Sequence, residues 1–529
     1  MIQKPIERKH KARAKLNAEQ REYAYNIDMK TILTFDIGTT SVKTCLFDRG
    51  LNTVCTHTEE YHLLTGGGEN WVELDPEVYW RAVLNGIRAV APEQTVRDSI
   101  AAICISTQGE TLICVDREGN ALRRAIVWLD ARADAEGAYI SALPGAKDVY
   151  ARCGVAAIDG MTPISKLLWI RRNEPEIYDC TYKFLLLGDY IAERLTGRFV
   201  SEKTLMSTTA YYDIRADRRM DAWLAACGID PEKIPDALGS GEIIGGLTAQ
   251  AARETGLPEN VCVVAGAMDQ VAAAIGGGNV REGVITETTG TAMVLLATAD
   301  EGCFNSAGGV NIYRHAVPGK YLVIPFCITA GVVLKWFKDE FCAREVDLAR
   351  QTGRSVYDIL GEMAEKCAPG ANGLTLIPYF NGILQPHASP NQRGIFFGAS
   401  LQTGKAHFIR AIFEGVACML RENVELLEKL GVRIDEIRSF GGGANSAIWS
   451  QIKADITGKR IVTLREGECA SLGVAVLAAA ALGWARDIES AAEHNHPSRA
   501  FVPNAEAVQT YDSIYARYCE ILKRNLDLF

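Results

Sequence analysis

The chain has 529 residues, 48% of them hydrophobic and 23% charged, the balance of a globular protein large enough for two or more domains. Its formal net charge of −9 would repel a polyphosphate backbone, which argues against nucleic acid as the main partner and makes a neutral small molecule easier to accommodate. The 15 cysteines are scattered without a C-x-x-C pair, so free thiols in a reducing compartment are expected. The longest apolar stretches, such as Val474 to Leu482, are too short and alanine-rich to span a bilayer.

Residues 1–28 are basic and polar and lack an apolar leader core, which predicts a disordered arm, or a start codon assigned upstream of Met29; their removal is expected to leave stability and activity intact. Thr31 to Phe35 reads as a buried strand, followed by the turn Asp36-Ile37-Gly38-Thr39-Thr40-Ser41 and a second strand from Val42 to Phe47. Strands at Ile100 to Ile105 and Leu112 to Val115, with helical patterns at Val78 to Val90 and Ser165 to Arg172, make a mixed α/β unit. A strand at Val261 to Val264 runs into Asp269-Gln270 and an alanine-rich helix that ends in the glycine cluster Gly276-Gly277-Gly278, a natural hinge.

Beyond the hinge, Gly283 to Thr286, the turn Thr288-Thr289-Gly290-Thr291 and Ala292 to Leu296 repeat the strand, turn, strand pattern of the first half. A third glycine turn, Phe440-Gly441-Gly442-Gly443-Ala444-Asn445, leads into a helix from Ile448 to Thr457. A core helix is expected around Ala470 to Leu482, and a surface helix from Val508 to Leu528.

Glycine turns at strand ends let backbone N–H groups approach phosphate oxygens, and hydroxyls add donors without charge. Each turn alone is a common structural device; three of them beside an acidic residue suggest a nucleotide site. No P-loop is present: the nearest imitation, Gly398 to Gly404-Lys405, has the wrong spacing and Ala406 where a metal-binding hydroxyl belongs. A dinucleotide-binding G-x-G-x-x-G after a strand is also missing.

Three features carry a resemblance to the FGGY carbohydrate kinases. Met161-x-Pro163-x-x-Lys166-Leu167-x-Trp169-Ile170-x-Arg172-Asn173 fits the family's first signature at every constrained position. Gly394-x-Phe396-x-Gly398 with His407-Phe408-x-x-Ala411-Ile412-Phe413-Glu414 fits the second, with Ala399 where a larger aliphatic is usual. The third is the order of Asp36-x-Gly38-Thr39-Thr40, Trp128-x-Asp130-x-Arg132, Asp269, Gly290-Thr291 and Gly441-Gly442-Gly443. Together they cover roughly residues 31 to 485.

The resemblance implies an α/β fold of two duplicated ribonuclease H-like (actin-like ATPase) domains with an interdomain cleft, residues 29–279 holding the sugar and the catalytic base and 280–529 the nucleotide. It implies ATP as phosphoryl donor and Mg²⁺ organised by Asp36, a carboxylate that beside phosphates is useful only with a bridging cation. Thr39, Thr40, Ser41, Lys43 and Thr289-Gly290-Thr291 would line the phosphates, with Gly331 and Lys335 near the nucleotide and Gly441, Gly442, Gly443 and Asn445 at the adenosine. Asp269 would be the general base. The segment Gln108-Gly109-Glu110-Thr111, with Trp128, Asp269 and Gln270, would hold the acceptor. That segment lacks the Gln-Met-His-Gly of xylulose kinases and approaches the Gln-Arg-Glu-Thr of glycerol kinases with glycine for arginine, which should enlarge the pocket. Trp71-x-Glu73-x-Asp75-Pro76-Glu77 and Pro378-Tyr379-x-x-Gly382 look like the xylulose kinase branch.

The expectation is therefore a cytoplasmic kinase of a small sugar or polyol, a ketopentose such as xylulose first among them, with a homodimer left open. An erythritol or glycerol kinase is the alternative within catalysis. A non-catalytic ATP-binding chaperone or regulator of the same fold is the alternative of another class.

Overall fold

A computed structural model describes residues 30–528 apart from 69, 301–308, 385 and 388, so the expected arm at residues 1–28 lies outside the described residues. The described residues divide into two compact units, the first running to Gly276 and including Ala470–His494, the second running from Gly277 to Cys469 and resuming at Asn495.

The first unit is built on a six-stranded sheet of β1 (Thr31–Ile37), β2 (Ser41–Phe47), β3 (Thr53–Glu60), β4 (Ile100–Thr107), β5 (Ile243–Gly246) and β6 (Cys262–Met268), in the order β5-β6-β4-β1-β2-β3. Strands β1 and β6 flank β4 in parallel, while β2, β3 and β5 run antiparallel to their neighbours. The central strand β1 is buried along almost its whole length, whereas the edge strand β3 exposes much of its polar sequence. Helix α1 (Pro76–Val90) starts where Asp75 accepts a hydrogen bond from the Glu77 N–H at 3.0 Å and Pro76 pre-sets the first turn. Its Tyr79, Trp80, Val83 and Ile87 join the core under the sheet.

Helix α2 (Pro163–Asn173) carries the first signature, and α3 (Asp269–Gly276) follows β6 directly. The register of β6 against β4 shifts between Val264 and Ala267. Gly266 occupies that bulge, where a Cβ would lie 1.7 Å from the Ile105 carbonyl oxygen, so only glycine permits the approach.

The second unit repeats the theme with β7 (Gly283–Thr289), β8 (Met293–Ala299), β9 (Asn311–Arg314), β10 (Tyr321–Ile324), β11 (Ile434–Phe440), β12 (Arg460–Leu464) and β13 (Pro497–Phe501), in the order β9-β10-β8-β7-β11-β12-β13. As with β1, the strand before the polar turn pairs antiparallel with its successor and parallel with a distant strand, here β11. Helices α4 (Gly331–Phe341), α5 (Lys405–Lys429) and α6 (Ala447–Thr457) follow in sequence. Ser446 caps α6 by accepting from the Trp449 N–H at 3.3 Å.

The boundary falls at 276/277, and α7 (Cys469–Ala481) belongs, from Ala470 onward, to the first unit. Close backbone contact accounts for it: a Cβ at Gly473 would lie 1.8 Å from the Ala272 carbonyl oxygen of α3. The last helix, α8 (Ala505–Asn525), returns to the second unit and buries Tyr511, Tyr515 and Tyr518. The described cysteines are free thiols, and no described helix is long and apolar enough to cross a membrane.

Candidate active site

In the first unit the functional candidates collect at the carboxyl ends of parallel strands, where open α/β sheets place their ligands. Asp36 stands in register with Ser106, and Ser106 with Ala267. Asp36, Ser106 and the Met268–Asp269 junction therefore end β1, β4 and β6 at one level. Ser106 donates its hydroxyl to the Asp36 carboxylate at 3.0 Å. The turn after β1 closes when the Gly38 N–H donates to the Ser41 carbonyl at 2.9 Å. Lys43 sits opposite Asp36 on β2. The Thr40 carbonyl accepts from the Tyr61 N–H at 2.9 Å, and the Tyr61 hydroxyl donates to the Gly38 carbonyl at 2.5 Å.

Burial, together with the Asp36 charge, pushes the Asp269 carboxyl up to about 7; the backbone and side chain of Gln270 partly offset the rise. Burial also raises Glu110 to about 7, with Asp159 and Asp269 adding to the rise and Lys166 opposing it. The backbone of Glu110 is left-handed at φ 68°, a conformation a non-glycine residue holds only when its surroundings impose it. Gln108 is buried: its N–H donates to the Ile37 carbonyl at 3.0 Å and its side-chain amide to the Tyr79 hydroxyl at 3.4 Å, while its Oε1 has no protein partner. A Cβ at Gly109 would meet Thr208 Cγ2 at 3.3 Å and Met268 Cγ at 3.5 Å, so the glycine keeps this floor low. Trp128 donates its indole N–H to Thr39 Oγ1 at 2.9 Å and its backbone N–H to Thr111 Oγ1 at 3.1 Å.

Two buried networks in this unit had no role assigned from sequence. Arg132 forks onto Asp130 at 2.8 and 2.7 Å and reaches Glu73 at 2.9 Å, with its guanidinium 3.7 Å from the Trp71 ring centroid. Lys166 is fully buried and donates to backbone carbonyls only. Both residues are visible in the sequence as motif letters, but only the fold shows what they hold.

In the second unit the glycine turns assemble at the ends of β7 and β11, which run parallel with Thr288 beside Phe440. A Cβ at Gly443 would lie 2.8 Å from the side-chain Cβ of Thr289, and one at Gly331 would lie 2.4 Å from the Gly290 carbonyl oxygen, so the first glycine leaves room for Thr289 and the second is required by close backbone approach. The Ala330 N–H donates to the Thr291 carbonyl at 2.9 Å, which fixes the start of α4 against the first turn. Gly442 and Asn445 are exposed. Lys335 is exposed one turn along α4 and pairs with Asp339 at 2.8 Å.

Beneath these turns lies a wholly buried ion pair that sequence reasoning missed. Lys453 reaches both oxygens of Glu287, at 2.9 and 3.1 Å, and Thr289 Oγ1 at 2.8 Å; Ser439 Oγ donates to Glu287 at 2.6 Å. The signal available was a glutamate inside the apolar strand that leads to Thr288-Thr289-Gly290. Its partner lies 166 residues away, beyond any local pattern.

No cluster of three or more metal-ligating side chains occurs among the described residues. A lone carboxylate with a half-buried carboxylate neighbour suits a cation that arrives with phosphate oxygens and keeps its own waters, as Mg²⁺ does.

Residues 31–276 match the N-terminal domain of the FGGY family of carbohydrate kinases, and residues 285–482 match its C-terminal domain. The chain is 30% identical over 504 residues to the xylulose kinase of Bacillus subtilis (strain 168), covering 94% of this chain and 98% of that one. It is 28% identical over 485 residues to the gluconokinase of the same organism, covering 91% and 94%. The crystal structure of xylulose kinase from Rhodospirillum rubrum is similar with a TM-score of 0.84 and 25% identity, over 94% of this chain and 99% of that one. Both units have the strand topology of the duplicated actin-like ATPase fold, and relatives that are kinases over nearly their whole length set aside a non-catalytic chaperone. The chain belongs to the FGGY family of carbohydrate kinases, enzymes that phosphorylate a sugar at the expense of ATP.

Proposed function

We propose that the acceptor is an uncharged ketose or polyol of four or five carbons, a ketopentose such as xylulose first among them. The charge around the acceptor segment is the main support. Glu110 is close enough to Asp159 and Asp269, and Asp269 to Asp36, for their charges to interact, and Lys166, the cation beside Glu110, spends its three protons on carbonyl oxygens. A sugar hydroxyl can donate to such carboxylates, whereas the carboxylate of an aldonic acid would be repelled. The relatives include both xylulose kinases and gluconokinases, so this distinction matters. A second reading, an erythritol or glycerol kinase, is favoured by Glu110 standing in the acceptor segment where xylulose kinases carry histidine.

In this scheme Asp269 takes the proton from the attacking hydroxyl, while Gln108, Gly109, Glu110, Thr111, Trp128 and Gln270 orient the acceptor. Mg²⁺ would be held through Asp36, neutralising the phosphates whose oxygens meet Thr39, Thr40, Ser41 and Lys43. In the second unit Thr289, Gly290 and Thr291 bind phosphates, Gly331 and Lys335 lie near the nucleotide, and Gly441 to Gly443 with Asn445 serve the adenosine. Dependence on ATP and a phosphorylated metabolite fits the cytoplasm. ADP release measured across xylulose, ribulose, erythritol, glycerol and gluconate tests the assignment. Highest kcat/KM on xylulose is the expected result, and highest kcat/KM on gluconate would overturn the uncharged acceptor.

A further inference from the structure

Lys166 lies in the first turns of α2, after the N-cap Thr162 and Pro163. The positive pole of a helix is an unfavourable place for a buried ammonium, and its solvent exposure is 0%. Its three protons find three backbone carbonyls: Glu110 at 3.3 Å, Val127 at 3.0 Å and Trp128 at 3.3 Å. These carbonyls come from two separate loops, the turn after β4 and the segment after the short strand Ala125–Ile126. The charged groups around it are Glu110, Asp130, Asp159 and Arg132.

An apolar residue would fill the same space at lower desolvation cost, so the ammonium must be accounted for by what it fixes. It grips the carbonyl of Glu110, the residue held at φ 68°. It also grips the carbonyl of Trp128, whose backbone N–H is tied to Thr111 Oγ1 and whose indole is tied to Thr39. Resting on the reading of Gln108 to Thr111 as the acceptor segment, we propose that Lys166 is a positioning residue that locks the Glu110 turn and the Trp128 segment in register and thereby sets acceptor affinity without touching acceptor or nucleotide. The side chain acts through geometry: with the carbonyls released, the Glu110 backbone relaxes and its carboxylate loses its aim.

Lys166→Met removes all three donors, and Thr111→Val cuts the parallel tie to Trp128 without unbalancing a buried charge. The expected result is a rise in acceptor KM of about 10-fold or more for Lys166→Met and a smaller rise for Thr111→Val, with ATP KM changed by less than about two-fold in each. Lys166→Gln, which keeps amide donors, should fall between wild type and Lys166→Met. Glu110→Ala run beside them separates the two levels of inference. If Glu110→Ala raises acceptor KM while Thr111→Val and any folded Lys166 variant leave it unchanged, or move both KM values together, the positioning role is wrong. If Glu110→Ala itself leaves acceptor KM unchanged, the acceptor segment is misassigned and the role of Lys166 falls with it. Should Lys166→Met fail to fold, the KM split of Lys166→Gln decides, because Thr111 itself belongs to the acceptor segment: an acceptor KM at the wild-type value, or an equal rise in both KM values, overturns the positioning role.

Discussion

Replacing Asp269 with asparagine separates what this carboxyl does for the reaction from what it costs the fold. Its pKa stands at about 7 against a reference of 3.8. At about 1.4 kcal/mol per pH unit, that gap favours the protonated form by about 4 kcal/mol, an upper figure because water reaches the half-buried side chain. The folded pKa is raised above the unfolded value, so this group's contribution to stability is fully present below about pH 4 and is lost as pH rises through about 7. Above pH 7 the native state carries a charge that burial and Asp36 oppose. Asparagine cannot ionise, so Asp269→Asn should melt higher than wild type at pH 8.5 and at nearly the same temperature at pH 4, measured without nucleotide or Mg²⁺. Removal of the proton acceptor should meanwhile lower kcat by about 10²- to 10⁴-fold while ATP still binds. Wild-type kcat should rise with pH through the titration of the base, and the residual activity of the variant should not follow that profile. Differential scanning fluorimetry and a coupled ADP assay read the two effects. Near-normal phosphorylation by the variant would refute the assignment of the base, and an equal melting shift at both pH values would refute the charge argument.

Other expected outcomes follow from single contacts. Glu110→Ala should raise acceptor KM by about 10- to 100-fold and leave ATP KM near wild type, as loss of hydrogen bonds to a carboxylate predicts; steady-state kinetics with each substrate varied in turn checks this. Asp36→Asn should raise the Mg²⁺ concentration needed for half-maximal rate, read from Mg²⁺ titrations at fixed ATP. Lys453→Met strands the buried Glu287 carboxylate and should cost about 3–5 kcal/mol in urea unfolding, with Glu287→Leu/Lys453→Met recovering much of it because an apolar pair no longer leaves a charge unpaired; a loss under about 1 kcal/mol would show that the pair is not buried in solution. Gly443→Ala pushes a methyl against Thr289 and should raise ATP KM without changing acceptor KM.

The sequence made the local devices legible and left their long-range partners hidden. Apolar, β-branched runs located β1, β2, β4, β7 and β8 because those strands are largely buried and read as continuous apolar text, whereas β6, read only as far as Val264, continues to Met268. The glycine turns were recognisable because backbone approach to a phosphate, or to another backbone, admits no Cβ. What placed Asp36, Ser106 and Asp269 at one level, however, is register across strands far apart in the chain, and a one-residue slip would turn each side chain to the opposite face. The bulge at Gly266 is part of that register, yet in sequence it is one glycine among 48.

Buried charges were harder still. Lys166 and Lys453 satisfy themselves on carbonyls and on a distant glutamate, so neither leaves an i, i+4 partner to betray it. The packing of helix α7 was hidden for a related reason: the surface it fits is the backbone of α3 at Ala272, about 200 residues earlier in the chain. A residue can be read locally when its constraint is its own backbone, and loses that legibility when the constraint is supplied by a partner that only folding brings near. Asp269 shows both cases at once. Its place between strand and helix was readable, but the raised pKa that suits it to accept a proton near neutrality depends on burial and on Asp36 at the end of another strand.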